Sequence, residues 1–194
     1  MADLVARLAL WRARLTVALA RRRARLAEAL ARRRVPLGFA TAVAALIFAR
    51  PVGESLGLGF AVAAAGESLR VWAAGHLEKS REVTRSGPYR WMRHPLYVGS
   101  AIIAAGVVIA ARHPVVLVLI VLYIGTTVPA AIHREETFLR QTFGDTYDRY
   151  ARSESTPMTR RFSLARARRN REYRAVLGVL GGFALLALKV LRPI

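Results

Sequence analysis

The sequence contains no cysteine, and its 12 acidic residues are far fewer than its 31 lysines and arginines. Without cysteine the chain forms neither disulfide bonds nor thiolate metal sites. No pair of histidines is spaced to bring two ligands onto one helical turn, so we expect no metal site; the histidines are His76, His94, His113 and His133. A Gly-rich loop after a predicted strand is also missing, which argues against a Rossmann-type dinucleotide site.

Apolar and basic residues dominate instead. Apolar residues occupy 54% of the 194 positions, although the formal net charge is +19. Apolar and arginine-rich stretches alternate, which is typical of a membrane protein with basic loops rather than of a soluble core. The length favours one domain. The N-terminal stretch is too long and too rich in arginine for a secretory signal peptide, so we expect none.

Residues 1–34 have the pattern of one amphipathic helix. Leucines and a tryptophan recur at three-, four- and seven-residue spacings, and arginines fill much of the rest. We expect this helix to lie in the headgroup layer with its cations against anionic lipid. A solvated helix packed on the rest of the chain and a nucleic-acid-binding arm are the alternatives. The aromatic side chains that stack on bases are missing around the arginine runs.

Five apolar segments follow, and they predict an all-α, integral membrane helical bundle. They cover residues 35–49, 55–75, 95–111, 114–132 and 175–191. A helix needs ~20 residues to cross a hydrocarbon core. The short link at 112–114 makes the third and fourth segments a helical hairpin, and Glu67 and Arg70, one turn apart, are placed to neutralise each other. Two glycine pairs have the small-residue spacing of close helix contacts: Gly53 with Gly57 and Gly178 with Gly182.

The basic regions predict the orientation. Three regions are rich in arginine, namely 1–34, 76–94 and 133–174. Four crossings place all three on one side, and the positive-inside rule makes that side cytoplasmic, in the cell inner membrane. Whether 175–191 also spans stays open. The predicted division is an interfacial helix at 1–34, a membrane core at 35–157, and a basic linker with an apolar helix at 158–194.

Two polar clusters flank the predicted hairpin. One is GPYRWMRHPLYVGS at 87–100, and the other covers 133–157. The start of one hairpin helix and the end of the other lie at the same membrane face. We therefore expect one group of residues near another: Arg90, Arg93, His94 and Tyr97 near His133, Glu135 and Glu136. Adjacent helical glutamates point ~100° apart, so at least one of them tends to face the protein. Cations and helix N–H groups opposite a carboxylate suit a zwitterionic ligand such as an amino-acid moiety. Interfacial anchoring and an ordinary helical pair with Arg140 are the alternatives.

At these residues the sequence resembles the superfamily of isoprenylcysteine carboxyl methyltransferases and phospholipid methyltransferases, which are integral membrane enzymes. The matching pattern is GPYR at 87–90, RHPLYVG at 93–99 and, after an apolar hairpin, Glu135-Glu136, Leu139, Phe143-Gly144, Tyr147, Tyr150 and Thr156-Pro157. The resemblance covers residues 66–157. It departs from the family after Pro157, where this chain has MTRRFSL instead of an arginine and further prolines.

The resemblance implies that S-adenosylmethionine binds without a Rossmann domain. The residues that it assigns to this cofactor are Tyr89, Arg93, His94, Pro95, Tyr97, Gly99, Glu135 and Glu136. Arg93 and His94 would hold the carboxylate of the cofactor. Either Glu135 or Glu136 would meet its ammonium group or a ribose hydroxyl. Tyr97 and Gly99 would shape the wall, and Gly99 would let the helix approach closely.

The resemblance also implies a lipophilic methyl acceptor, either an isoprenylcysteine-type carboxylate or a phospholipid or other lipid amine. The cofactor would come from the cytosol and the acceptor from the bilayer, which explains a polar cluster beside an apolar run. The catalytic candidates are Glu135, Glu136 and Arg90. A carboxylate acceptor needs no base, whereas an amine would lose its proton to a carboxylate such as Glu135. The other expected partners are anionic lipids at the arginine-rich ends, and no nucleic acid.

Two other functional hypotheses fit parts of the sequence. Membrane sterol reductases carry a similar Arg-His-Pro-x-Tyr-x-Gly element and use NADPH, but they are larger and typically have asparagine where this chain has Leu96. A non-enzymatic membrane scaffold, or a membrane-tethered nucleic-acid binder, would use the arginine-rich ends.

Overall fold

The computed structural model describes residues 35–191 without a gap and, before them, seven isolated positions: Trp11, Thr16, Ala18, Arg22, Glu28, Ala29 and Arg33. The predicted interfacial helix at 1–34 otherwise lies outside the described residues. Within 35–191 the regular structure is helical, which confirms the all-α prediction. The elements are α1 (Val35–Phe48), α2 (Gly53–His76), a 3-10 turn (Gly87–Arg90), α3 (Pro95–Ala111), α4 (Pro114–Phe143), α5 (Asp145–Ala151), α6 (Leu164–Arg169) and α7 (Tyr173–Leu191).

Four of the five predicted apolar segments fall within helices, and the segment at 35–49 extends one residue past α1; helix α4 is longer than its apolar run. Its 30 residues at ~1.5 Å each give about 45 Å, and the helix continues past the predicted end at 132 to Phe143. Six of the eleven residues at 133–143 are glutamate, arginine, leucine or glutamine, which are good helix formers although most are polar. By length and composition α4 and α7 are each able to cross a membrane, and α1 and α3 are shorter apolar helices.

The tight link between α3 and α4 is confirmed. Pro95 opens α3 at its first turn, where the missing N–H costs no helical hydrogen bond. Arg112 ends α3 in the left-handed region with φ 48°, and the His113 side chain then accepts a hydrogen bond from the Val115 N–H at 3.3 Å. Pro114 opens α4 immediately afterwards. The hairpin therefore places the start of α3 and the extension of α4 at the same end.

The closest helix contact is between α2 and α3, and glycines on both helices allow it. A Cβ added at Gly66 would lie 2.7 Å from the Gly99 carbonyl oxygen, and one at Gly59 would lie 2.5 Å from that of Gly106. The two pairs repeat after seven residues, as expected for one continuous seam. The glycine contacts predicted at 53, 57, 178 and 182 are wrong, because an added Cβ there would meet no described atom within 4 Å.

Helix α7 runs along the height of the bundle. Its start follows Glu172, which pairs with Arg70 of α2. Near its other end, Lys189 Nζ donates to the carbonyls at the end of α1, at 2.8 Å from Leu46, 3.1 Å from Ile47 and 2.8 Å from Ala49. The end of α1 in turn meets the end of α3, since the Arg50 N–H donates to the Ala111 carbonyl at 2.8 Å. Helix α7 therefore extends from one end of the bundle to the other, as its fifth long helix within residues 35–191.

Candidate functional site

The Glu136 carboxylate lies at the centre of a cluster at the start of α3 and the extension of α4. Glu136 Oε1 is 3.0 Å from His94 Nε2 and 3.3 Å from Arg93 Nη1. Glu136 Oε2 is 3.4 Å from Arg140 Nη2, one turn further along α4. We call Arg93, His94, Glu136 and Arg140 the Glu136 cluster. The structure thus brings together Arg93, His94 and Glu136 as the hairpin geometry predicts.

Local backbone structure explains this convergence. His94 precedes Pro95 as the N-cap residue of α3, and its side chain makes no capping hydrogen bond, so the imidazole extends towards α4. Of the two adjacent glutamates, Glu136 is half-buried and Glu135 is exposed, as the ~100° between neighbouring helical side chains predicts. The sequence predicts the cations and the carboxylate on opposite sides of a ligand. In the structure these groups contact each other directly.

The Glu136 cluster is accessible from outside the bundle. The Arg93 side chain is 47% exposed, compared with 16% for Glu136 and 14% for His94. A guanidinium has five N–H donors in a planar fork, and the contact with Glu136 engages Nη1. Arg93 therefore has donors available for a further carboxylate.

Helix α5 covers the cluster with two tyrosines. The Tyr147 side chain is buried, its hydroxyl lies beside the Glu136 carboxylate, and Arg140 lies over its ring at 5.4 Å. The Tyr150 hydroxyl donates to the Tyr89 carbonyl at 2.9 Å. Burial raises the pKa of both phenols to about 12, with Glu136 adding to the effect at Tyr147. Both remain neutral hydrogen-bond donors at physiological pH.

The remaining predicted site residues surround this cluster at different depths. Tyr89 is buried, and this burial, with Glu135 nearby, raises the pKa of its phenol far above the ordinary value. Arg90 is exposed. The Tyr97 ring lies 6.0 Å from the His94 ring, tilted by 55°. Gly99 packs against α2, where an added Cβ would meet Arg70 Cγ at 2.5 Å, so the expected close helix approach at Gly99 is present.

A second cluster, which the sequence analysis found only in part, lies on the α2 side of α3. Arg70 Nε is 3.7 Å from Glu67 Oε2, the predicted pair, but only 2.7 Å from Glu172 Oε1. Arg70 Nη1 also donates to Ser100 Oγ and, at 3.3 Å, to the Leu96 carbonyl. We call Glu67, Arg70, Ser100 and Glu172 the Arg70 cluster. Its signal in the sequence is that Glu172 is the sole acidic residue after Pro157.

The segment after Pro157 folds back onto the end of α2 and so brings Glu172 next to Arg70. Arg160 forms an ion pair with Glu82, and Arg166 Nε lies 2.8 Å from Glu78 Oε1. The Asn170 amide donates to the Ala74 and Leu77 carbonyls, both at 2.9 Å. These two arginines form internal ion pairs and so are not available for the anionic lipid expected at the arginine-rich ends.

Comparisons with known proteins find one matching family model and two similar proteins. Residues 58–146 match the family model described as phospholipid methyltransferase. Two rice proteins, from Oryza sativa subsp. indica and subsp. japonica, are each described as a probable protein-S-isoprenylcysteine O-methyltransferase. Each is 37% identical to this chain over 91 residues, which are 47% of this chain and 48% of the relative. The chain thus spans about half the length of the curated relatives it matches. No solved structure matches it significantly.

The matched range includes the α2–α3 seam and the whole Glu136 cluster. The resemblance given above for residues 66–157 is therefore supported by similarity over 91 residues, on an all-helical fold. Residues 58–146 of this chain are similar to the phospholipid methyltransferase family, and the aligned 91 residues are similar to proteins described as probable protein-S-isoprenylcysteine O-methyltransferases.

Proposed function

We propose that this protein is an S-adenosylmethionine-dependent methyltransferase that modifies a lipophilic acceptor at the cytoplasmic face of the cell inner membrane. The observation that supports it most is the Glu136 cluster. It joins cationic donors and a carboxylate at one end of an apolar helical hairpin. A water-soluble donor and a membrane-soluble acceptor would meet at such a boundary.

The donor set fits the amino-acid part of S-adenosylmethionine. Arg93, with its exposed guanidinium, and His94 would hold the carboxylate of the cofactor, and Glu136 would hold its ammonium group. When bound, this cofactor supplies a methyl group attached to a positively charged sulfur. Pro95 and Tyr97 would fix the start of α3, while the buried Tyr147 closes the cluster on the α5 side.

The protein's own contribution to the reaction would be binding, orientation and exclusion of water. Tyr89 is buried beside the start of α3, and Arg90 extends to the exposed surface next to it; both would lie nearer the acceptor than the rest of the cluster. Glu135 is exposed and available to take a proton if the acceptor is an amine. A carboxylate acceptor would need no proton transfer, and Arg90 would then pair with it.

Calorimetric titration of the purified full chain with S-adenosylhomocysteine tests this proposal. We expect His94→Ala and Glu136→Ala each to weaken binding by about 10- to 100-fold, because each removes a charged hydrogen bond. Glu54→Ala is the matched control. Glu54 is exposed in the first turn of α2, at the end of α2 that lies away from the Glu136 cluster. Binding retained in both site variants would remove the assignment.

A membrane assay with a methyl-labelled donor extends the test from binding to activity. Transfer of label to a lipid or lipidated molecule, identified by mass spectrometry, is the expected result. A thermal-shift comparison separates the main alternative. Protection by NADPH but not by S-adenosylhomocysteine would support a reductase and contradict the proposal.

A further inference from the structure

A groove of about 450 Å³ lies between α2 and α7, away from the Glu136 cluster. Its volume is in the range of small-molecule sites. The apolar part of its lining includes Phe60, Ala64 and Trp72 of α2 and Val176, Val179 and Leu180 of α7. Phe60, Trp72 and Leu180 remain 41, 38 and 50% exposed, so the groove opens sideways between the two helices.

The groove has two distinct ends. At one end the Phe60 ring meets the Phe183 ring edge-on at 5.4 Å. At the other end Phe162 lies against the end of α2, with its ring 6.4 Å from that of His76. From Phe60 to Trp72 the helix rises about 18 Å at ~1.5 Å per residue. Such a space suits an extended acyl chain.

One carboxylate interrupts the apolar lining. Glu67 lines the groove, is only 7% exposed, and has no hydrogen-bond donor on either side-chain oxygen among the described residues. Its nearest cation, Arg70, is 3.7 Å away and lies closer to Glu172. Two carboxyl groups therefore share one guanidinium, which leaves Glu67 without a cation of its own within residues 35–191, facing an apolar groove. A buried carboxylate of this kind is costly to keep ionised unless a partner satisfies it.

We infer, on the basis of the proposed function, that this groove binds the acceptor as a lipid with an ammonium headgroup, and that Glu67 selects that headgroup. The ammonium group supplies the hydrogen-bond donors and the positive charge that the Glu67 oxygens lack. The acyl chain covers the apolar lining. A lipid with a carboxylate headgroup is disfavoured, because its charge would meet that of Glu67 in a water-poor space.

A series of side-chain contacts leads from Glu67 in the groove towards the proposed cofactor site. Arg70, one turn after Glu67, donates to the Leu96 carbonyl and to Ser100 in the first turns of α3. Arg93 and His94 immediately precede that helix. Arg70 thus links the part of the groove at Glu67 to the start of α3, next to the Glu136 cluster.

Tryptophan fluorescence tests this inference in the full chain. With Trp11→Phe and Trp91→Phe, Trp72 in the groove wall is the remaining tryptophan. The probes are dodecylamine and dodecanoic acid, each brominated at the chain end to quench Trp72. We expect the amine to bind about tenfold or more tightly than the acid, since hydrogen bonds to charged groups contribute ~1.5–3 kcal/mol. Equal binding of both probes would overturn the inference without any further variant.

Three variants sharpen the result. Glu67→Gln should abolish the preference for the amine, while the dodecyl chains of both probes should still bind. Glu54→Gln should keep the preference. Ala64→Phe should fill the groove and weaken both probes, and it adds no second tryptophan. A preference that persists in Glu67→Gln would overturn the role of Glu67.

Calorimetry with S-adenosylhomocysteine distinguishes the two proposals. If Glu67→Gln binds S-adenosylhomocysteine normally and the parent shows no amine preference, only the groove inference fails. If the parent shows amine preference but no S-adenosylhomocysteine binding, the proposed cofactor fails and the groove remains an amphiphile site.

Discussion

The Glu136 cluster and the Arg70 cluster lie on either side of the start of α3 and have opposite compositions. In the first, two guanidiniums and an imidazole surround one carboxylate, and Arg93 is 47% exposed. In the second, two carboxylates share one guanidinium, and Glu67 and Glu172 are 7% and 6% exposed. The first is rich in donors and open to water, whereas the second is rich in acceptors and closed. The pair fits the amino-acid part of a soluble zwitterion on one side and a cationic, membrane-derived headgroup on the other.

Removing a cation from each cluster should produce the largest contrast. Arg70→Met leaves two buried carboxylates without a guanidinium, and we expect it to lower the free energy of unfolding by about 3–5 kcal/mol. Arg93→Met removes a half-exposed cation and should cost no more than about 1 kcal/mol. Denaturant unfolding in detergent micelles measures both. Equal losses would show that the two clusters do not differ in burial as described.

The glycine seam that holds the two clusters together gives the next largest effect. Gly66→Ala places a Cβ 2.7 Å from the Gly99 carbonyl, so α2 and α3 must separate, and we expect a loss of about 1–3 kcal/mol in the same unfolding measurement. Gly57→Ala is the matched control on the same helix. An added Cβ there meets nothing within 4 Å, so the better helix propensity of alanine should leave stability unchanged or slightly raised. A loss of the same size in both variants would argue against close packing at the seam.

The ion pair between Arg166 and Glu78 helps to hold Glu172 near Arg70, and it should contribute only weakly to the loss of stability in acid. The hydrogen bond from Arg166 holds the pKa of the Glu78 carboxyl below the ordinary value of 4.5. A lowered folded-state pKa stabilises the fold above the unfolded-state pKa, and this stabilisation is lost as pH falls through the folded-state pKa. We expect the thermal midpoint to fall less steeply below about pH 4.5 in Glu78→Gln than in the parent chain. Glu54→Gln, at an exposed position, should not change the slope.

Much of the Glu136 cluster was predictable because its members are joined by a hairpin. The turn at 112–114 makes α3 and α4 antiparallel, which places Arg93-His94 and Glu136 at the same end of the hairpin. The register of Glu135 and Glu136 on one helix similarly predicts that one of them faces inward. The tyrosines of α5 appear in the family pattern, but their cover over Glu136 depends on the chain reversal at Gly144, which has φ 49°.

The Arg70 cluster and the groove were not predictable in the same way. Glu172 lies far from Arg70 in sequence and reaches it because Arg160, Arg166 and Asn170 attach their segment to the end of α2. Glycine spacing alone favoured Gly53, Gly57, Gly178 and Gly182, while the actual seam uses Gly59, Gly66, Gly99 and Gly106. Glycine spacing shows that one face of a helix allows close approach, but it does not show which neighbouring helix packs against that face.

The sequence by itself determined the helical segments, the hairpin between α3 and α4, and the meeting of Arg93 and His94 with Glu136, because hydrophobic runs and short turns act locally. Only the tertiary structure decided the rotation of α2 against α3, the return of Glu172, and the groove between α2 and α7. These depend on which helix faces pack together, and packing is set by shape and charge between residues that are distant in the chain.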